Sequence, residues 1–311
     1  MRKNIIRPIK RSLFGSMVLL IAITLFVLQA CDTSEDPTIG TPTVDSFTNY
    51  TDQGTPNAGP VGTLVKLTGT YFSAAGKNTV KFNGVEAKVI SSKTSTSNLT
   101  VVVPAGATTG PVSVTVGGHT GTSTTNFTVS AGTPAPAILD FSPNTGNGVD
   151  GIEVAITGVN FSSTPANNVV EINGVATAVN SVDVTDPLAN VIKVNVPSGA
   201  TTGKITVEVN GANGIATTDK DFSVPTPKIA SFTPSKSIVG STVVITGTNF
   251  SKTADDNIVM FNGVAATVVE VNVKDAAANT LTVIVPNTTT GKITVDVDGV
   301  VGTSGDPFTV N

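Results

Sequence analysis

The chain has 311 residues, 18 basic and 22 acidic side chains, one cysteine, one histidine and no tryptophan. Every arginine lies within the first eleven residues, so past residue 30 thirteen lysines face 22 acids. A nucleic-acid binder needs a basic footprint and arginine forks, and that role is excluded. One cysteine forms no intramolecular disulfide, and exported chains manage without one only when their cores are large enough. Threonine, valine, glycine and asparagine dominate the remainder. That mixture reads as β-branched strands punctuated by turns, with no long amphipathic helix.

Residues 1–30 read as a secretory signal. Arg2, Lys3, Arg7, Lys10 and Arg11 form a basic n-region, and Met17 to Leu28 is apolar except for Thr24. Twelve such positions suit a signal h-region, whereas a spanning helix needs about 20. Leu28-Gln29-Ala30-Cys31 resembles the lipobox of bacterial lipoproteins, with Gln29 a less usual occupant. The resemblance implies cleavage before Cys31, acylation of that cysteine and attachment to a membrane through the lipid anchor. Residues 31–41 then serve as a tether. Its Asp32, Glu35 and Asp36 resemble the acidic export tract of Bacteroidetes-type surface lipoproteins. In enterobacteria an Asp in that place goes with inner-membrane retention instead. The expected location is the outer membrane, lipid-anchored at the cell surface.

Three copies of one pattern follow. Gly69, Gly158 and Gly247 lie 89 residues apart inside Leu67–Ser73, Ile156–Ser162 and Ile245–Ser251. Asn83-Gly84, Asn173-Gly174 and Asn262-Gly263 come next. Asn-Gly between strand-like runs signals a hairpin, because a type I′ turn needs φ > 0 at both central positions. Valine-rich runs end at Pro104, Pro197 and Pro286. Thr-Thr-Gly follows at Thr108, Thr201 and Thr289, and each copy closes on Phe-x-Val at Phe127, Phe222 and Phe308. A period near 90 is too long for a solenoid unit and suits an autonomous sandwich of about seven strands. In the third copy the strands are expected near Lys228–Phe232, Thr242–Thr246, Asn257–Phe261, Val264–Val273, Leu281–Val285, Lys292–Val297 and Phe308–Val310.

These segments, with Pro143 and Pro234 after Phe-Ser and Phe-Thr, resemble the IPT/TIG family of immunoglobulin-like domains. Copy one departs, with Asn49 in place of the opening proline and a longer loop after it. The resemblance implies an all-β chain: three tandem immunoglobulin-like β-sandwiches at 42–130, 136–224 and 227–311, after a lipoprotein signal peptide. Proline-bearing joints at 130–136 and 225–227 are expected to be semi-rigid.

Several motifs mislead. Gly146-x-Gly148-x-x-Gly151, with Glu171 beyond, has dinucleotide-binding spacing, but a strand rather than a helix is expected next. Gly199 to Lys204 is one residue short of a P-loop and lacks its Ser/Thr; both segments read as turns. A triad would need His119, which reads as an exposed hairpin residue. Asp255, Asp256, Asp183 and Asp186 read as solvated loop charges rather than a calcium site. No cofactor, metal or enzymatic activity is expected.

All eleven phenylalanines past the signal fall at repeat positions and read as core. Only Tyr50 and Tyr71 stand outside the pattern, read as surface residues. The leading reading is a non-enzymatic stalk for adhesion, protein binding or spacing. The alternative, drawn from the family's frequent company with carbohydrate-active proteins, is a surface glycan-binding lipoprotein of a polysaccharide-uptake system. Its partner is a surface protein or a polysaccharide. A glycan is expected on copy one, stacked on Tyr50 or Tyr71, with Asn49, Asp52 and Gln53 meeting its hydroxyls.

Overall fold

The computed structural model describes residues 40–50, 57–90, 94–212, 214–273 and 279–311. Cys31, the acidic tract, Asp52 and Gln53 lie outside the described residues. Copy one contains β1 (Thr43–Asn49), β2 (Ala58–Gly59), β3 (Leu64–Thr70), β4 (Thr79–Phe82), β5 (Val85–Ala87), β6 (Asn98–Val102), β7 (Gly110–Val116) and β8 (His119–Val129). They form two sheets, β1-β3-β6 and β2-β8-β7-β4-β5.

Copy two contains β9 (Ala137–Ser142), β10 (Glu153–Val159), β11 (Asn168–Ile172), β12 (Val175–Thr177), β13 (Val179–Asp183), β14 (Asn190–Asn195), β15 (Ile205–Val209) and β16 (Ile215–Thr217). Its sheets are β13-β14-β10-β9 and β12-β11-β15-β16. Copy three contains β17 (Lys228–Thr233), β18 (Lys236–Ser237), β19 (Thr242–Thr248), β20 (Asn257–Phe261), β21 (Val264–Asn272), β22 (Asn279–Ile284), β23 (Gly291–Val297) and β24 (Val300–Val310). Here β21 pairs with β20 at one end and β22 at the other, so the strands join into one continuous sheet that folds over on itself.

The repeated motifs prove to be one device. Each Asn-Gly turn holds left-handed φ at both residues, 43° and 89° at Asn83-Gly84. The Asn amide then donates to the first threonine of Thr-Thr-Gly: Thr108 Oγ1 at 2.8 Å, Thr201 Oγ1 at 2.7 Å and Thr289 Oγ1 at 2.8 Å. A Cβ on the following glycine would strike that Asn side chain, at 2.4 Å for Gly110. The second threonine accepts from the backbone N–H of the closing valine, at 3.0 Å for Val129, 2.9 Å for Val224 and 3.1 Å for Val310. Asn-Gly, Thr-Thr-Gly and Phe-x-Val therefore belong to a single knot at one end of each sandwich.

Cores fill as the repeats dictate. Three buried clusters, one per copy, hold ten of the eleven phenylalanines. Phe232 is half-buried against the third cluster. Edge-on ring pairs recur, Phe82 with Phe127 at 5.1 Å and Phe261 with Phe308 at 5.0 Å, a geometry that suits the aromatic quadrupole.

The closing strand differs from expectation. In copy three β24 starts at Val300, eight residues before Phe308, and bulges on the way. Ser304 Oγ fills the bulge, accepting from Ile293 N (3.1 Å) and donating to Asp306 O (2.7 Å). Ser123 does the same in copy one and Thr218 in copy two. A buried hydroxyl substitutes for the missing ladder bond, and polar residues there disguise a strand as a loop.

Among the described residues no helix is long and apolar enough to cross a membrane, and no group of three or more His, Cys, Asp and Glu could hold a metal. The glycines at 146, 148 and 151 lie between β9 and β10, and those at 199 and 203 between β14 and β15. His119 opens β8 and is exposed.

Candidate functional site

The glycines that distinguish the three copies locate the site. In copies one and three the opening segment crosses the last strand so closely that a Cβ on Gly121 would lie 1.7 Å from Pro42 O, and one on Gly302 would lie 1.9 Å from Pro227 O. The bulge hydroxyls align Gly121, Ala216 and Gly302. Copy two thus carries the methyl group that the others exclude, and its hairpin between β15 and β16 is longer. A cleft lies between β9 and the Ile215–Lys220 segment.

The cleft has two adjoining basins of about 200 and 310 Å³. Ile138 and Phe141 give an apolar floor, with Asp140, Asp219 and Lys220 around it. The second basin shares Ile138, Thr218 and Asp219 and is closed by Tyr50 of copy one. Tyr50 Oη donates to Asp219 Oδ2 at 3.4 Å, across 169 residues of sequence. Burial pushes the Tyr50 phenol above its ordinary value of 10.0, and the charge and hydrogen bond of Asp219 add to the shift. Lys204 Nζ fixes the far side, donating to Asp219 O at 2.7 Å and pairing with Asp221 at 3.0 Å. An apolar floor ringed by carboxylates, hydroxyls and a phenol can hold a small polar ligand with one apolar face.

The residues expected to form a site in copy one are dispersed. Asn49 is only 6% exposed and donates to Ala58 O at 3.2 Å, so it ties copy one's own loop rather than presenting an amide to a ligand. Tyr50 is half-buried at the joint with copy two rather than standing on a free loop. Tyr71 is 55% exposed but sits at the opposite end of β3, about 20 Å away at 3.4 Å per residue. The two rings do not face one ligand.

Both joints are built from side chains of adjoining copies. At the first, Leu64 and Ile90 of copy one pack with Ala137, Leu139 and Val159 of copy two, and Asn160 Nδ2 donates to Gly62 O (2.9 Å) and Ala135 O (3.0 Å). At the second, Asp298 in the turn between β23 and β24 reaches back into copy two. Its carboxylate accepts from Gly148 N (3.0 Å), Gly199 N (3.0 Å) and Ser198 Oγ. Val149 packs on the core of copy three while Val300 packs on that of copy two. Sequence reading missed Asp219 and Asp298 because each acts on a different copy. The signal available was local: Ala216 and Asp298 both break the repeat at positions where another copy has glycine.

This fold of paired antiparallel sheets defines an immunoglobulin-like class of tandem sandwiches. The IPT/TIG domain model matches residues 49–130, 136–224 and 227–310, and the chain belongs to that family. No curated protein compared with the chain matches it. Among solved structures it is similar to a protein crystallised with a xylogluco-oligosaccharide, at 19% identity over 86% of this chain and 60% of that one, with a TM-score of 0.34. It is also similar to the plexin A4 extracellular region, at 19% identity over 86% and 24% with a TM-score of 0.29. A third is SGBP-B from a complex xyloglucan utilization locus in Bacteroides uniformis, at 22% identity over 57% and 50% with a TM-score of 0.27. The chain therefore spans less than two thirds of each of these structures.

Proposed function

We propose that this is a non-enzymatic cell-surface lipoprotein whose three IPT/TIG sandwiches form a modular stalk for adhesion, protein binding or spacing. One observation supports the stalk above others: the Asp298 carboxylate gathers two backbone N–H groups and a hydroxyl from the preceding copy. Charge-assisted bonds of that kind fix an orientation, which a spacer needs and independently hinged domains do not. The anchor in this reading rests on the lipobox-like Leu28–Cys31, and the outer-membrane location on the acidic Asp32, Glu35 and Asp36 that follow it. The test is fractionation of cells expressing the wild type and Cys31→Ser. The wild type is expected in the detergent phase, and the variant is expected to accumulate as unprocessed precursor. A wild-type mature protein that stays soluble without detergent would refute the anchor.

The cleft favours a second reading, glycan binding. Its apolar floor and ring of oxygen acceptors suit a sugar, which has one apolar face and many hydroxyl donors. Because Tyr50 and Asp219 come from different copies, affinity would require the first joint intact. Tyr50→Ala and Asp219→Asn are each expected to weaken binding of the full chain to any polysaccharide it retains in a panel, by tenfold or more. Binding that survives both substitutions would place the glycan elsewhere. A panel without any binding would leave the stalk alone.

A further inference from the structure

The cleft between β9 and the Ile215–Lys220 segment is uneven in charge. Asp140 and Asp219 stand around its apolar floor, and among the described residues that line it Lys220 is the one cation. All three are exposed, so their charged ends can reach a ligand. The nearby Lys204 is already engaged, with Asp219 O at 2.7 Å and with Asp221 at 3.0 Å. The lining rings are poorly placed for stacking. Phe141 is 8% exposed, and Tyr50 is half-buried with its hydroxyl turned to Asp219. Neither lays an aromatic face open to a sugar, so charge has to carry more of the recognition.

We propose that the cleft takes an amino sugar in preference to a neutral or acidic one, its protonated amine drawn to Asp140 and Asp219 and its apolar face on Ile138. The inference rests on the glycan-binding reading and narrows its ligand class. An ammonium brings three donors and no acceptor, and an ionised carboxylate has about four acceptor positions. Asp219 can therefore keep the long 3.4 Å contact from Tyr50 Oη and still accept from an amine. Hydrogen bonds between charged partners are roughly twice as strong as neutral ones. A uronate or a sulfated sugar would instead set its anion against two carboxylates, on a chain with 22 acids and 13 lysines past residue 30. Basins of about 200 and 310 Å³ lie at the small end of ligand sites, so the cleft reads a short stretch of a glycan.

The test is calorimetry on the chain lacking residues 1–31, because Thr41–Asn311 forms a compact unit of its own. The probes are a glucosamine oligomer, its N-acetylated counterpart and an oligogalacturonate. Mildly acidic buffer keeps the sugar amines protonated and the carboxylates ionised, and salt at about 0.15 M screens distant charge. The glucosamine oligomer is expected to bind roughly fivefold tighter than its N-acetylated counterpart, the most that an exposed ion pair usually supplies, and the oligogalacturonate not at all. Asp140→Asn, which leaves the Tyr50–Asp219 contact in place, should reduce that ratio, and adding Asp219→Asn should bring it to one. Asp255→Asn with Glu270→Asn removes the same charge from exposed sites in copy three and should leave the ratio intact. Equal binding of the amine and its N-acetylated form would overturn the proposal while keeping the glycan reading. A ratio that falls as far in the copy-three variant would overturn it too, as attraction to the whole acidic chain. Binding of none of the three probes, nor of any polysaccharide, would end both readings of the cleft.

Discussion

Single residues in this chain do unlike jobs at like positions. Tyr71, Asn160 and Asn249 occupy one place in the repeat and all hold φ near 60°. Asparagine tolerates that region through its short polar side chain; Asn160 and Asn249 both spend their amides on the linker before their own copy. A bulky aromatic there is a backbone outlier, and nothing in the structure of copy one alone explains Tyr71. Asn49 and Tyr50 were legible in the sequence as departures from the repeat, but not as buried ones. A polar residue beside a long loop reads the same whether it faces water or ties the loop down, and Asp219 is too distant in sequence to be paired with Tyr50 by pattern. With two tyrosines and no tryptophan, Tyr71→Phe leaves Tyr50 as the sole phenol. Ultraviolet titration of that variant should show ionisation above the usual value of about 10, because burial and Asp219 disfavour the phenolate. The raised value makes its contribution complete below the unfolded-state pKa and lost as pH climbs through the folded one. Titration at the ordinary value would mean that the joint leaves the ring solvated.

At the scale of elements, the repeat made most strands readable. Alternation and Asn-Gly turns marked β20, β21 and β23 almost to the residue. The closing strand was not readable, since a bulge filled by a serine hydroxyl interrupts the period that marks a strand. Nor was the crossing of first and last segments, which shows in the sequence only as a glycine that can do without a Cβ. Gly121→Ala should force Pro42 O aside and destabilise copy one by about 1–3 kcal/mol or more, as overpacking does. Ala216→Gly removes a buried methyl from the core of copy two and should cost about 1–2 kcal/mol through strand entropy and lost apolar burial. Urea denaturation of the two variants checks both losses, and an unchanged midpoint for Gly121→Ala would mean that the Pro42 backbone gives way without cost.

At the scale of the whole molecule, the joints rather than the sandwiches carry the individuality. Joint one is mainly apolar, built on Leu64, Ile90 and Leu139. Joint two is held by one carboxylate and an exchange of valines. The prolines announced both linkers, but the partners across each joint come from loops far apart in sequence, so no local pattern revealed them. Asp298→Ala should leave Gly148 N, Gly199 N and Ser198 Oγ to water, at about 0.5–1.5 kcal/mol, the net worth of a hydrogen bond that solvent can replace. Small-angle scattering and residual dipolar couplings should then report copies two and three reorienting independently while each keeps its fold. Unchanged couplings would place the rigidity in the Pro225-Thr226-Pro227 linker instead.

The asymmetry of the joints also restrains how the gene can evolve. Repeats of one length invite unequal recombination, and an in-frame loss of copy two would set copy three directly on copy one. Asp298 would then face Ala105-Gly106 in place of Ser198-Gly199, with a methyl where a hydroxyl donated, and Pro60 would stand where Val149 entered the core. Such a shortened chain keeps its sandwiches but mismatches its one remaining joint, so the order of the copies, and not merely their number, is under structural constraint.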